Sequence, residues 1–257
     1  MELKKITVAV VLLLLAVISF TKLAPWAADP NNHTHSIEQT EEKITTVMTL
    51  SGGAAATSAT LSLLPGDMCT PLSEQLAELA KYFLLVLSSL YLEKFMICIT
   101  GYIAFSVLIP LACVIMAASI LFGQDSWKRI SGKIAIFAII VFLIVPASVQ
   151  LSDMVYQTQA ERVNNAVEEY NELDVDGDSD GGIISDLNTI TNSTIQKITT
   201  FIGSLLEALA VMLVTACIIP ILVFVLLVWL GKTIFSSNVM TLDISSLNKI
   251  KEKLDKH

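Results

Sequence analysis

Asp174-Val-Asp-Gly-Asp-Ser-Asp-Gly-Gly182 is an acidic, glycine-rich knot between two helical arms, and each arm runs into a strongly apolar segment. In the ascending arm Tyr156, Ala160, Val163, Val167 and Tyr170 recur at spacings of four and three, a heptad-like seam. The descending arm answers with Leu187, Ile190, Thr194, Ile198, Ile202, Leu205 and Leu209. Ser185 is placed to cap its first turn, and Asp186 suits the positive end of the helix dipole. Each arm is about 22 residues, or roughly 33 Å at the helical rise. Arms of equal length flanking a turn predict an antiparallel helical hairpin rooted in a membrane.

Composition supports the membrane. Of the 257 residues, 54% are hydrophobic and 16% charged, and the mean hydropathy is +0.68. Soluble domains run nearer about 45–50% apolar and about 25% charged. A formal net charge of −8 argues against nucleic acid as a partner.

Four stretches are long and apolar enough to span a bilayer: Ile6–Ala24, Met96–Phe122, Ile134–Ser148 and Ala208–Gly231. Pro146, near the end of the third, predicts a bend. Trp26, Trp127 and Trp229 fall near span ends, where interfacial anchors belong. The first span, behind Lys4 and Lys5, has the charged start and apolar core of a signal peptide. It lacks an A-x-A cleavage spacing, which favours an uncleaved anchor.

Lysine and arginine set the orientation. Lys128, Arg129 and Lys133 fall between spans two and three, Lys232, Lys249, Lys251, Lys253 and Lys256 follow span four, and Lys4 and Lys5 precede span one. The positive-inside bias makes all three cytoplasmic. The stretch from Asp153 to Asp186 carries ten carboxylates against Arg162 alone, and it falls on the opposite side. A further span through Tyr82–Leu92 would bury Glu78 and Lys81, at a cost of a few kcal/mol each. Residues 72–95 are therefore read as an amphipathic helix outside the membrane.

The expected organisation is an all-α integral membrane protein whose four transmembrane helices extend outside the membrane as two long hairpins, an elongated four-helix bundle. Its parts are 1–24 (cytoplasmic start and first span), 25–95 (hairpin one), 96–122 (second span) and 123–133 (cytoplasmic loop). There follow 134–149 (third span), 150–207 (hairpin two with the acidic tip), 208–231 (fourth span) and 232–257 (cytoplasmic tail). The expected location is the plasma membrane, with both termini cytoplasmic.

Hairpin one is less regular. Ser36 is the expected cap of a helix striped by Ile37, Ile44, Val47 and Met48, interrupted at Gly52-Gly53. Pro65-Gly-Asp67 marks the tip, and Leu72, Leu76, Leu79, Phe83, Val86 and Leu90 share one face of the return arm. The run Gly53-Ala-Ala-Ala56 allows close approach of a neighbouring helix.

Candidate chemistry is sparse. The acidic tip resembles an EF-hand or dockerin-type calcium loop over about a dozen residues. Asp176, Asp178 and Asp180 stand at positions one, three and five, Gly181 at six and Ile183 at eight. Position twelve is Leu187, and the nearest carboxylate, Asp186, comes one residue early, which weakens any calcium site. The same residues satisfy a plain solvated turn. His33 and His35 form a weak metal pair on an expected loop. Cys69, Cys98, Cys113 and Cys217 lack metal-site spacing, and the three in spans are expected as free thiols buried in apolar surroundings.

Spans two to four contain no Asp, Glu, Lys, Arg or His, which disfavours a proton-coupled carrier or ion pump. No phosphate loop, dinucleotide fingerprint or nucleophile elbow occurs. The expected function is non-enzymatic: assembly, as a homo-oligomer or with a partner membrane or extracellular protein, through an extracytoplasmic stalk. The alternative is one subunit of an oligomeric pore, pooling Thr100, Ser106, Ser119 and Thr215 around an opening. Pro110, Pro146 and Pro220 are expected as kinks, accommodated by neighbouring helices.

Overall fold

The computed structural model describes residues 2–63, 69–123, 125–173 and 192–236, and among them every regular element is helical. In chain order the α-helices are α1 (Glu2–Ile18), α2 (Ala24–Ala28), α3 (Thr34–Ser62), α4 (Cys69–Ile103), α5 (Ile109–Phe122), α6 (Asp125–Thr158), α7 (Ala160–Leu173), α8 (Asn192–Leu213) and α9 (Ile219–Ser236). Four continuous helical runs, Lys5–Ala28, Cys69–Phe122, Ser126–Thr158 and Thr194–Ser236, are long and apolar enough to cross a membrane. The protein is a multi-pass all-α membrane protein.

Three prolines share one device. Pro25, Pro110 and Pro220 each follow a five-residue π-helical turn, Ser19–Leu23, Ala104–Leu108 and Val214–Ile218 respectively. In each, the amide just before the proline bonds five residues back: Ala24 to Ser19, Ile109 to Ala104, Ile219 to Val214. Proline has no N–H, and its ring crowds the carbonyl four residues earlier. Widening the turn relieves that clash and leaves carbonyls without a helical donor. Pro146 differs: α6 runs unbroken through it, so the expected bend does not interrupt the helix.

The chain divides into two compact units. One comprises residues 1–32, 98–144 and 224–257. Within it α1 packs along α5, and the Ser19 hydroxyl donates to the Phe105 carbonyl, freed by the turn before Pro110, at 2.7 Å. Gly101 lets the backbone of α2 approach so closely that a Cβ there would lie 2.6 Å from the Ala27 carbonyl oxygen. Gly123, in the left-handed region at φ 71°, ends α5. The stretch read as the loop 123–133 is helical from Asp125 onward, so Lys128, Arg129 and Lys133 stand on α6. Lys133 Nζ donates to the last-turn carbonyl of Phe235 on α9 at 2.9 Å, favourable at a helix C-terminus. Much of the apolar surface of α1 and α9, such as Leu14, Val17, Leu222 and Phe224, is exposed, as expected where lipid is the solvent.

The other unit, residues 33–97 and 145–223, holds the continuous hydrophobic core. Its two hairpins are antiparallel by their contacts. Along α3 and α4, Ser58 meets Ser73, Ser51 meets the Ala80 carbonyl, and Glu41 meets Lys94. Across the second hairpin, Ser152 meets the Thr215 carbonyl, Arg162 meets Glu207, and Tyr170 stacks on Phe201. α3 closes on α7 where Gly53 lies under Tyr170, and α4 closes on the π turn after α8 where Ser89 donates to the Ala216 carbonyl at 2.7 Å. The four segments thus make a closed bundle.

Each segment buries a seam at alternating spacings of three and four. These are Val47, Leu50, Ala54, Thr57 and Leu61 on α3, and Leu76, Leu79, Phe83, Val86 and Leu90 on α4. Val163, Ala166, Tyr170 and Leu173 face Ile198, Phe201, Leu205, Ala208 and Met212 on the second hairpin. Ala160 and Val167, expected on the seam, flank it half-buried. Three expectations for α3 are corrected. The helix starts at Thr34, with His33 at its N-cap and no side-chain cap bond, and Ser36 lies buried inside it. Met48 is exposed, because it falls one position past the seam residue Val47. Gly52-Gly53 does not interrupt the helix; packing within the bundle outweighs glycine's poor propensity.

Candidate functional site

One layer of the bundle breaks its apolar pattern. The three-four seams continue into Lys43 on α3, Glu93 on α4, Ser152 on α6 and Thr215 in the π turn after α8, and all four residues are buried. Lys43 is 2% exposed, the one fully buried cation among the described residues. Its Nζ donates to Ser152 Oγ at 3.1 Å and stands 3.8 Å from Asp153 Oδ1 and 5.3 Å from the centre of the Tyr156 ring. The Ser152 hydroxyl donates in turn to the Thr215 carbonyl at 2.8 Å. Pro220 is the reason that carbonyl is free: the π turn before it withdraws the helical donor. Gln39 Nε2 donates to Asp153 Oδ2 at 2.7 Å and fixes the carboxylate from outside.

Burial holds the Lys43 ammonium below its ordinary range, opposed by the charges of Glu93, Asp153 and Glu42. Glu93, three residues before the apolar run that begins at Met96, is pushed up to about 7 by burial, opposed by Lys43. Its Oε1 is buried without a hydrogen-bond partner, as is Gln39 Oε1. Beside the layer an open groove of about 540 Å³ is lined by Gln39, Gln150, Asp153, Met154, Gln157 and Thr158. Ser152 and Lys43 have the atoms of a serine–lysine dyad, but both are closed off from solvent and the Ser152 hydroxyl is committed to the Thr215 carbonyl.

None of the residues singled out from the sequence for their chemistry belongs to this layer except Thr215. A signal for it is nevertheless present: Lys43 and Glu93 extend the three-four spacing of two seams as charged residues at core positions. Asp176, Asp178, Asp180 and Asp186, the candidate calcium ligands, lie outside the described residues. No cluster of three or more His, Cys, Asp and Glu side chains with metal-binding geometry occurs among the described residues. His33 ends a 3-10 turn and His35 lies in α3, so the pair is not on one loop. None of the four cysteines forms a disulfide among the described residues. Cys69 is in the core of the bundle, while Cys98, Cys113 and Cys217 are half-buried, on helices whose outer surface is apolar.

Comparison with protein-family models, curated proteins and solved structures finds no match to this chain.

Proposed function

We propose that this multi-pass membrane protein is non-enzymatic and assembles, with itself or with partner proteins, through its extracytoplasmic helical hairpins. The observation that carries this reading is the outer face of α4. Leu84, Leu85, Tyr91, Leu92 and Phe95 recur along one side of the helix, before the span that begins at Met96, and are 41–63% exposed. With the second span beginning at Met96, as the charge pattern has it, this face stands outside lipid and supports a protein-interaction surface. Length agrees: the run Cys69–Phe122 has 54 residues, a contour of about 80 Å against a hydrocarbon core of roughly 30 Å.

The pore reading has weaker support. Ser106, Ser119 and Thr215, which would have to line an opening between copies, are buried within the chain.

The deciding experiment is native mass measurement of the full chain in lipid nanodiscs, with Leu85→Glu and Leu92→Glu introduced together. Assembly predicts an oligomer or a co-purified partner that the double variant loses. A wild-type chain that is monomeric and partner-free, including when reconstituted from its own membranes, would remove the assembly reading. Ion conduction by a ring of copies would replace it with the pore.

A further inference from the structure

The buried layer contains an imbalance that its geometry resolves in one way. From α3 it receives Lys43, with Glu42 nearby; from α4, Glu93; from α6, Asp153 and the Tyr156 ring. The fourth element brings Thr215, with the Cys217 thiol two residues on. Lys94, next to Glu93 in sequence, is turned away and paired with Glu41 at 2.6 Å. One ammonium therefore faces two carboxylates. Asp153 takes the nearer share: Lys43 Nζ on one oxygen and the Gln39 amide on the other. Glu93 is 8% exposed, and its Oε1 has no donor. A buried carboxylate without donors is costly, and a proton removes that cost.

We infer that Glu93 is an internal proton-binding site, and that its protonation sets how tightly the four-helix unit packs. The layer has a path to solvent. Gln39 and Asp153 belong both to the layer and to the wall of the open groove, so water in the groove stands next to the layer without the bundle unfolding. This inference is independent of the assembly reading, because it concerns the interior of the bundle and not the outer face of α4.

The sign follows from the position of the group. Glu93 has its folded-state value raised from 4.5 to about 7. Its protonated form therefore stabilises the fold below about 4.5, and that contribution is lost as pH rises through about 7. The test is a pH series of thermal midpoints on the full chain in nanodiscs, from about pH 5 to about pH 8, beside infrared titration of the protonated-carboxyl stretch. The wild type should lose midpoint temperature across that range, and a protonated-carboxyl band should disappear with it. Glu93→Gln, which has the shape and neutrality of the protonated acid, should flatten the midpoint profile and abolish the band. Asp153→Asn, which leaves Glu93 as the one carboxylate sharing Lys43 across the layer, should move both transitions to lower pH. A band and a midpoint profile unchanged in Glu93→Gln would overturn the assignment, as would a wild type with neither. Because the infrared band is read on folded protein, it decides the matter even if a variant's midpoint is too low to follow.

Discussion

Gly53 of α3 lies directly beneath the ring of Tyr170 on α7, so close that a Cβ on Gly53 would stand 2.7 Å from Tyr170 Cδ2. The glycine is there for its missing side chain, since α3 is regular on both sides of it. Gly53→Val should destabilise the bundle by about 1–3 kcal/mol through overpacking. Gly52 is the control, because a Cβ added there would meet nothing within 4 Å. Gly52→Ala should be neutral or stabilising by up to about 1 kcal/mol. Denaturant unfolding in mild detergent compares the two. Equal effects would mean that Tyr170 does not seat on Gly53.

The serines that serve the proline-freed carbonyls make a second prediction. Ser89→Ala leaves the Ala216 carbonyl without its donor and should cost about 1–3 kcal/mol. Pro220→Ala restores an N–H four residues beyond Ala216, so in that background the cost of Ser89→Ala should shrink. A double-mutant cycle measures the coupling. Strict additivity would show that the serine and the proline do not act on the same carbonyl.

Lys43 is the ammonium that the buried Glu93 and the groove-lining Asp153 share. Lys43→Met should destabilise by about 3–5 kcal/mol at alkaline pH, the usual result of stripping one member from a buried ionic group. Without the ammonium Glu93 ionises still less readily in the fold than in the unfolded chain, so stability should recover as pH falls and it takes up a proton. Unfolding at two pH values checks this. A penalty that is the same at both would mean Glu93 does not depend on Lys43.

Orientation calls for its own measurement, and Cys69 is a poor reporter because it is buried in the core. Glu161 on α7 and Ser126 on α6 are exposed. A membrane-impermeant maleimide applied to intact cells should label Glu161→Cys and spare Ser126→Cys, with native Cys69 reacting only after denaturation. The reverse labelling pattern would invert the topology.

The four apolar runs and most of the buried positions are legible in the chain. Leu76, Leu79, Phe83, Val86 and Leu90 are buried as their spacing implies, because a three-four repeat places side chains on one stripe in any α-helix. Met48 and Ser36 depart from expectation because a stripe read from one helix fixes the period better than the phase. The polar layer is harder to see, since Lys43 looks like an ordinary surface lysine until its helix is docked.

Sequence by itself determined that this chain is helical, that four of its segments suit lipid, and which face of each arm is apolar. Those properties are local, set by side-chain hydrophobicity and a helical period that does not depend on neighbours. Only the tertiary structure decided register: that Lys43 stands level with Ser152 and Thr215, that Gly53 meets Tyr170, and that one ammonium faces both Asp153 and Glu93. Register is a property of pairs of helices. Segments more than a hundred residues apart reach it through packing and through buried polar atoms that must find partners, and no single stretch of sequence encodes it.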